Sequence, residues 1–182
     1  SRLTKRRMDR SCVTKYDKAI NQNVRQAKQV PVLINYSVGK KRYEKEPDSK
    51  GLELIEKIEQ MDIPYWFPTN EIPRGDKTGE PIRIGITHVH QFYTKRSLLT
   101  LAFAFQLARS SNMAQKLFAI FFVEQSVLGF ARISRYVPTH FSQVNRYLSG
   151  TLYVGSQVAE VSLPYILDGK SKRLMSVYGK RW

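Results

Sequence analysis

Cross-linking is excluded at once, because Cys12 is the only cysteine in 182 residues, leaving no intrachain disulfide and no thiolate zinc site. One lone thiol fits a reducing compartment such as the cytoplasm. Long apolar runs are also missing. The longest, residues 98–107 and 117–123, fall well short of the roughly 20 residues needed to cross a bilayer, so both read as buried helices and no membrane partner is expected. Residues 1–10 are polar and basic with no apolar core behind them, unlike a signal peptide. Catalytic signatures are lacking too: there is no Walker loop, no Gly-x-Gly fingerprint and no Gly-x-Ser-x-Gly elbow. Acidic residues are scarce, 15 against 30 Lys and Arg, which gives a formal net charge of +15. A chain this basic attracts polyanions, and nucleic acid is the leading candidate; the alternative is that the excess charge merely solvates the surface.

What is present divides unevenly. Up to Lys28, Arg2, Lys5, Arg6, Arg7, Arg10, Lys15, Lys18, Arg25 and Lys28 face only Asp9 and Asp17, with few large apolar residues. Residues 1–28 therefore read as a basic arm, disordered or with one frayed helix. Residues 29–36, rich in β-branched side chains and followed by Gly39, read as a strand. Residues 49–60 read as a helix, with Leu52, Ile55 and Ile58 on one face and Asp48 or Ser49 as its cap. Residues 63–84 hold four prolines and two glycines, which argue for a long loop and against a helix or a central strand. Tyr65, Trp66 and Phe67 argue that its first part packs. A helix apolar nearly all round follows from Thr94, its cap, to Ser111. A second runs from Met113 to Ser134, with Arg132 and Arg135 at its C-terminal end. Residues 136–146 read as a polar loop, 148–154 as a strand, 158–167 as ambiguous, and a basic stretch closes the chain.

The expected fold class is α/β: an incomplete mixed domain with two long apolar helices, a few strands and a long Pro/Gly-rich loop. Helices apolar on all sides need cover on all sides. With the opening at Ser1 and the basic end at Arg181-Trp182, that reads as a fragment whose flanks are missing. The expected divisions are an arm at 1–28, a central region at 29–174 and a basic tail at 175–182.

Basic residues interleave with aromatics at two places. His88, His90, Tyr93, Lys95 and Arg96 precede the first apolar helix; Arg135, His140, Arg146 and Tyr147 follow the second. Helix-start amides with Lys or Arg beside them can hold phosphate, and Tyr or His can stack on an unpaired base. With Arg74 and Lys77 in the loop, these are the candidate nucleic-acid contacts. His88 and His90, two apart and without a nearby cysteine, read as hydrogen-bonded or phosphate-touching side chains rather than metal ligands.

The run Ile63-Pro-Tyr-Trp-Phe-Pro-Thr-Asn-Glu-Ile-Pro-Arg-Gly-Asp resembles the central region of bacterial adenine-type DNA methylases. So does Gly85-Ile-Thr-His-Val-His-Gln-Phe-Tyr-Thr-Lys-Arg-Ser-Leu, with Leu152-Tyr-Val-Gly-Ser after it. The likeness covers roughly residues 30–174, with Ser97 where the family has Asn. It implies a parent DNA methyltransferase that moves a methyl group from S-adenosylmethionine to an exocyclic base amine. It also implies a cofactor loop of the Phe-x-Gly-x-Gly type before this region and a catalytic Asp-Pro-Pro-Tyr after it. Neither motif stands here. No two prolines are adjacent, and Ile63-Pro-Tyr and Leu163-Pro-Tyr lack both the acid and the second proline. No residue is therefore assigned to catalysis or to the cofactor, and the partners implied are DNA and the remaining catalytic portion of the same polypeptide. The alternatives are a free-standing nucleic-acid-binding module and a core fragment whose charge only solvates it.

Overall fold

The computed structural model describes residues 11–140 and 147–178. The fold is mixed α/β: helices around two separate two-stranded antiparallel sheets. β1 (Cys12–Asp17) pairs with β2 (Gln22–Ala27), and β3 (Ile34–Val38) pairs with β4 (Lys41–Lys45). The expected basic arm is thus a hairpin from residue 12 onward, neither frayed helix nor disorder, while residues 1–10 lie outside the description. Alternation hid it, because β2 buries only Val24 and Gln26. The expected strand at 29–36 begins later, at Ile34, and turns at Gly39, whose φ of 61° supplies the left-handed position a two-residue hairpin turn demands.

The helix α1 (Ser49–Gln60) has the expected limits, with the Asp48 side chain accepting from the Gly51 amide. Inside the loop that follows, Gly79–Arg83 closes a short helix, α2. Pro81 sits in its first turn, where a missing N–H costs nothing, so the proline argument against any helix fails at this point. The first part of the loop does pack. Tyr65 lies 5.4 Å from Phe103 and Phe67 5.8 Å from His90 between ring centroids, and the Arg109 guanidinium covers Trp66 at 4.5 Å.

A 3-10 turn (Val89–Phe92) leads into α3 (Lys95–Ser110), capped by Thr94, and α3 packs on α4 (Met113–Glu124). The expected second helix is broken. α4 ends at Glu124, Ser126 turns its hydroxyl back onto the Val123 carbonyl at 2.6 Å, and a short α5 (Val127–Phe130) follows. Arg132 therefore falls in a turn just after α5 and Arg135 in a stretch bridged to Val158, neither at the end of one long helix. Residues 148–154, expected as a strand, form none, and Lys170, Lys172 and Arg173 of the basic stretch belong to α6 (Leu163–Tyr178), while residues 179–182 lie outside the description.

Three buried clusters hold these parts. Ile72, Ile84, Ile86, Ala131, Ile133 and Val154 form the first; Leu101, Phe130 and Ile166 the second; Ala104, Ala108 and Val123 the third. α4 is buried only on the side facing α3. Its other side exposes Met113 (87%), Leu117 (78%), Phe118 and Phe121, an apolar stripe repeating every three to four residues. An open groove of about 360 Å³ lined by Phe118, Phe122, Leu174 and Met175 continues that surface toward α6. No helix among the described residues is long and apolar enough to cross a membrane.

Candidate nucleic-acid interface

The two runs that carry the methylase likeness lie against each other. Ile72 donates to the Thr87 carbonyl at 2.8 Å and Val89 to the Asn70 carbonyl at 3.0 Å, bridging Glu71 to His88. The β1–β2 hairpin is clasped onto the same place. Ala27 donates to the Ile84 carbonyl at 3.1 Å, and Asp17 receives His90 Nε2 at 2.8 Å and Gln91 Nε2 at 2.9 Å. Burial by itself raises the Asp17 pKa, but the bonds from Gln91 and His90 and the histidine charge outweigh it and hold the carboxyl below its usual range. Gly85, at φ 86°, lies so close to β2 that a Cβ there would meet the Arg25 carbonyl oxygen at 1.9 Å.

This packing decides what the first candidate cluster can reach. His90 is buried on Asp17, and His88 is half-buried with Nδ1 2.9 Å from the Thr87 hydroxyl. Tyr93 packs against both the first and second clusters, and burial pushes its hydroxyl up to about 12. Neither Tyr93 nor His90 presents a ring for stacking. Lys95 Nζ donates to the Glu59 carbonyl at 3.1 Å. Arg96 grips Glu160 with two bonds, Nη2 to Oε2 at 2.6 Å and Nε to Oε1 at 3.2 Å. Thr94 Oγ1 and Ser97 Oγ reach the same carboxylate at 2.6 and 3.1 Å. The start of α3, expected to offer a phosphate site, is already filled by an anion from the protein itself. That acid lies 64 residues away in sequence, beyond what local spacing can reveal.

The second cluster is also drawn inward. Tyr147 packs against the first buried cluster, and Arg135 is half-buried beside the bridge to Val158. Arg146, with Asn145, lies outside the described residues. His140 is exposed, Nδ1 3.0 Å from the Thr139 hydroxyl. Arg132 was not foreseen as structural. It is 5% exposed and donates to the Gln91 carbonyl at 3.1 Å; burial pushes its pKa down while Glu59 acts the other way. Arg74 and Lys77 remain exposed. No cluster of His, Cys, Asp or Glu able to hold a metal exists among the described residues.

No family model, no curated protein and no solved structure matches the chain.

Proposed function

We propose that this chain is the DNA-contacting part of an S-adenosylmethionine-dependent DNA methyltransferase acting on an exocyclic base amine. One observation carries the DNA half. Cations outnumber acids 30 to 15, and several acids are paired internally, Asp17 with His90, Asp48 with Lys45, Asp62 with Lys18 and Glu160 with Arg96. Lys15, Arg25, Lys28, Arg74 and Lys77 are left exposed with no ion-pair partner among the described residues. Uncompensated surface cations neutralise phosphates and release counterions, so they favour any nucleic acid before sequence is read. The methyltransferase half is supported by the two motif runs, which resemble that family and are held side by side.

The residues present do not fit the cofactor. The chain has neither the glycine loop nor the Asp-Pro-Pro-Tyr that would accept bonds from the target amine. Cofactor binding and methyl transfer are therefore assigned to the remaining portion of the polypeptide, for which the uncovered side of α4 is a fitting seat.

The test is a titration of labelled duplex DNA across salt. With about five phosphate contacts, affinity falls by more than a hundredfold between roughly 50 and 200 mM salt. Incubation with labelled cofactor and mixed DNA should give no methyl incorporation from this chain alone. Binding indifferent to salt, or none in dilute buffer, would sink the DNA reading in favour of a merely solvating charge.

A further inference from the structure

Both candidate clusters lie beside helices, whereas further exposed cations lie on a hairpin. Among the named helices and strands, β3 and β4 pack chiefly on each other. The base of this hairpin is half-buried at Ile34 and Asn35, and every residue from Tyr36 to Lys45 is exposed. Register fixes its faces. Tyr36 opposes Tyr43, Val38 opposes Lys41 and Ile34 opposes Lys45 on one face, while Ser37–Arg42 and Asn35–Glu44 occupy the other. The two tyrosine rings stack with centroids 5.5 Å apart and planes 23° apart, which stiffens the middle of the ribbon. Lys45 is spent on Asp48, but Lys40 in the turn and Lys41 beside it have no ion-pair or hydrogen-bond partner among the described residues.

We propose that the β3–β4 hairpin is a nucleic-acid-gripping ribbon, with Lys40 and Lys41 holding backbone phosphates while the ribbon lies along a duplex groove. The proposal rests on the DNA reading above and adds the element that makes the contact. A five-residue strand is about 17 Å long and its partner about 5 Å away. The major groove, about 12 Å wide, admits such a two-stranded ribbon. Its charge suits phosphate, since Lys40 and Lys41 lie side by side at the exposed tip, with Glu44 the one acid within the strands. A bilayer suits it poorly, because Val38 is the only aliphatic side chain exposed near the tip. The plainer role for lysines on an open ribbon is to keep its bare edges from pairing with another chain.

The whole 182-residue chain serves for the experiment, as wild type, as Lys40→Gln with Lys41→Gln, and as Lys50→Gln with Lys57→Gln on the exposed surface of α1, which removes equal charge. Each is titrated against labelled duplex DNA at several salt concentrations, with thermal melting and light scattering on the same samples. The hairpin variant should melt like wild type, bind roughly tenfold more weakly near 0.1 M salt, and lose about 1.8 from the log–log salt slope. The α1 variant should lose less than half of that. Equal losses in both variants would overturn the proposal, leaving diffuse charge. Unchanged DNA affinity overturns it as well. In that case increased scattering assigns the lysines to edge protection, and loss of binding to phosphatidylserine vesicles assigns them to a membrane. If wild type itself binds no DNA in dilute buffer, the broader reading has failed and the ribbon falls with it.

Discussion

The two hairpins have nearly the same build, strands of six residues in one and five in the other, both basic, yet one belongs to the core and the other stands off it. The first turns a polar face inward. Asp17 meets His90 and Gln91, Gln26 is buried, and Gly85 lets the backbone of β2 come within reach of Ile84. In the second, Tyr36 and Tyr43 stack on each other, and no residue from Tyr36 to Lys45 is buried. A hairpin is thus recruited to a core by a few specific polar contacts and a backbone able to receive it, more than by its own hydrophobicity. Exposed cations without an ion-pair partner among the described residues stand on both hairpins, Lys15 and Arg25 on the first and Lys40 and Lys41 on the second.

Gly85→Ala should break this contrast most strongly. The new Cβ must displace the Arg25 carbonyl while adopting a left-handed backbone, which together cost roughly 3 kcal/mol or more. The first hairpin should come away, seen as a large drop in melting temperature and loss of exchange protection at the Ala27 amide; an unshifted melt would show that the clasp is not needed. Asp17→Ala comes next, at about 1–3 kcal/mol, because it strands a buried histidine without its acceptor. Acid supplies an independent check. A carboxyl held below its usual value contributes stability in full above that value, 3.8, and loses it as pH falls through the lower folded value. Wild type should therefore lose stability more steeply than Asp17→Ala below about pH 4.

Arg96→Ala probes the other internally consumed charge. The bond pair to Glu160 is about one-third exposed on each side, so removal should cost on the order of 1 kcal/mol, with DNA affinity following only the folded fraction. Glu160→Gln, which keeps the shape and frees the helix start, should tighten DNA binding about threefold at low salt. A loss of affinity in Arg96→Ala at unchanged melting temperature would restore that end of α3 as a phosphate site. The smallest effect is expected at Tyr43→Ala, where loss of the ring stack costs about 0.5–1 kcal/mol locally. Proteolytic nicking near Gly39 should quicken while the global melt stays put; a lowered melt would mean that the second hairpin is docked after all.

How much of this could be read from residues follows from the range of the forces involved. Caps and helical periodicity are local, so Asp48, Thr94 and the limits of α1 and α3 were legible. The clasp of the first hairpin depends on Asp17 finding His90, 73 residues on, and the closure of α3 depends on Glu160, and neither leaves a mark in nearby spacing. The break after α4 falls at Glu124-Gln125-Ser126, residues that a continuing helix could also carry, and a serine bonding back to a carbonyl marks it. The basic stretch of α6 looked like a tail, since its charges mask a helix that Ile166 anchors to the second cluster. Arg74 and Lys77 stand exposed, as a polar loop implies, whereas Lys40 and Lys41 carry no helix start or aromatic motif beside them to mark them in the sequence.

The uncovered side of α4 sets a working window for the molecule in solution. Leu117, Phe118 and Phe121 on one chain can meet the same residues on another, and only the repulsion of two strongly positive bodies opposes that encounter. Screening shortens the reach of this repulsion to about 8 Å at physiological ionic strength and about 3 Å at 1 M. On the proposed DNA reading, raising salt would release DNA and, by the same screening, permit self-association. Dilution at moderate salt is the condition under which neither the polyanion nor a second copy occupies the protein, and its unbound monomer should be sought there.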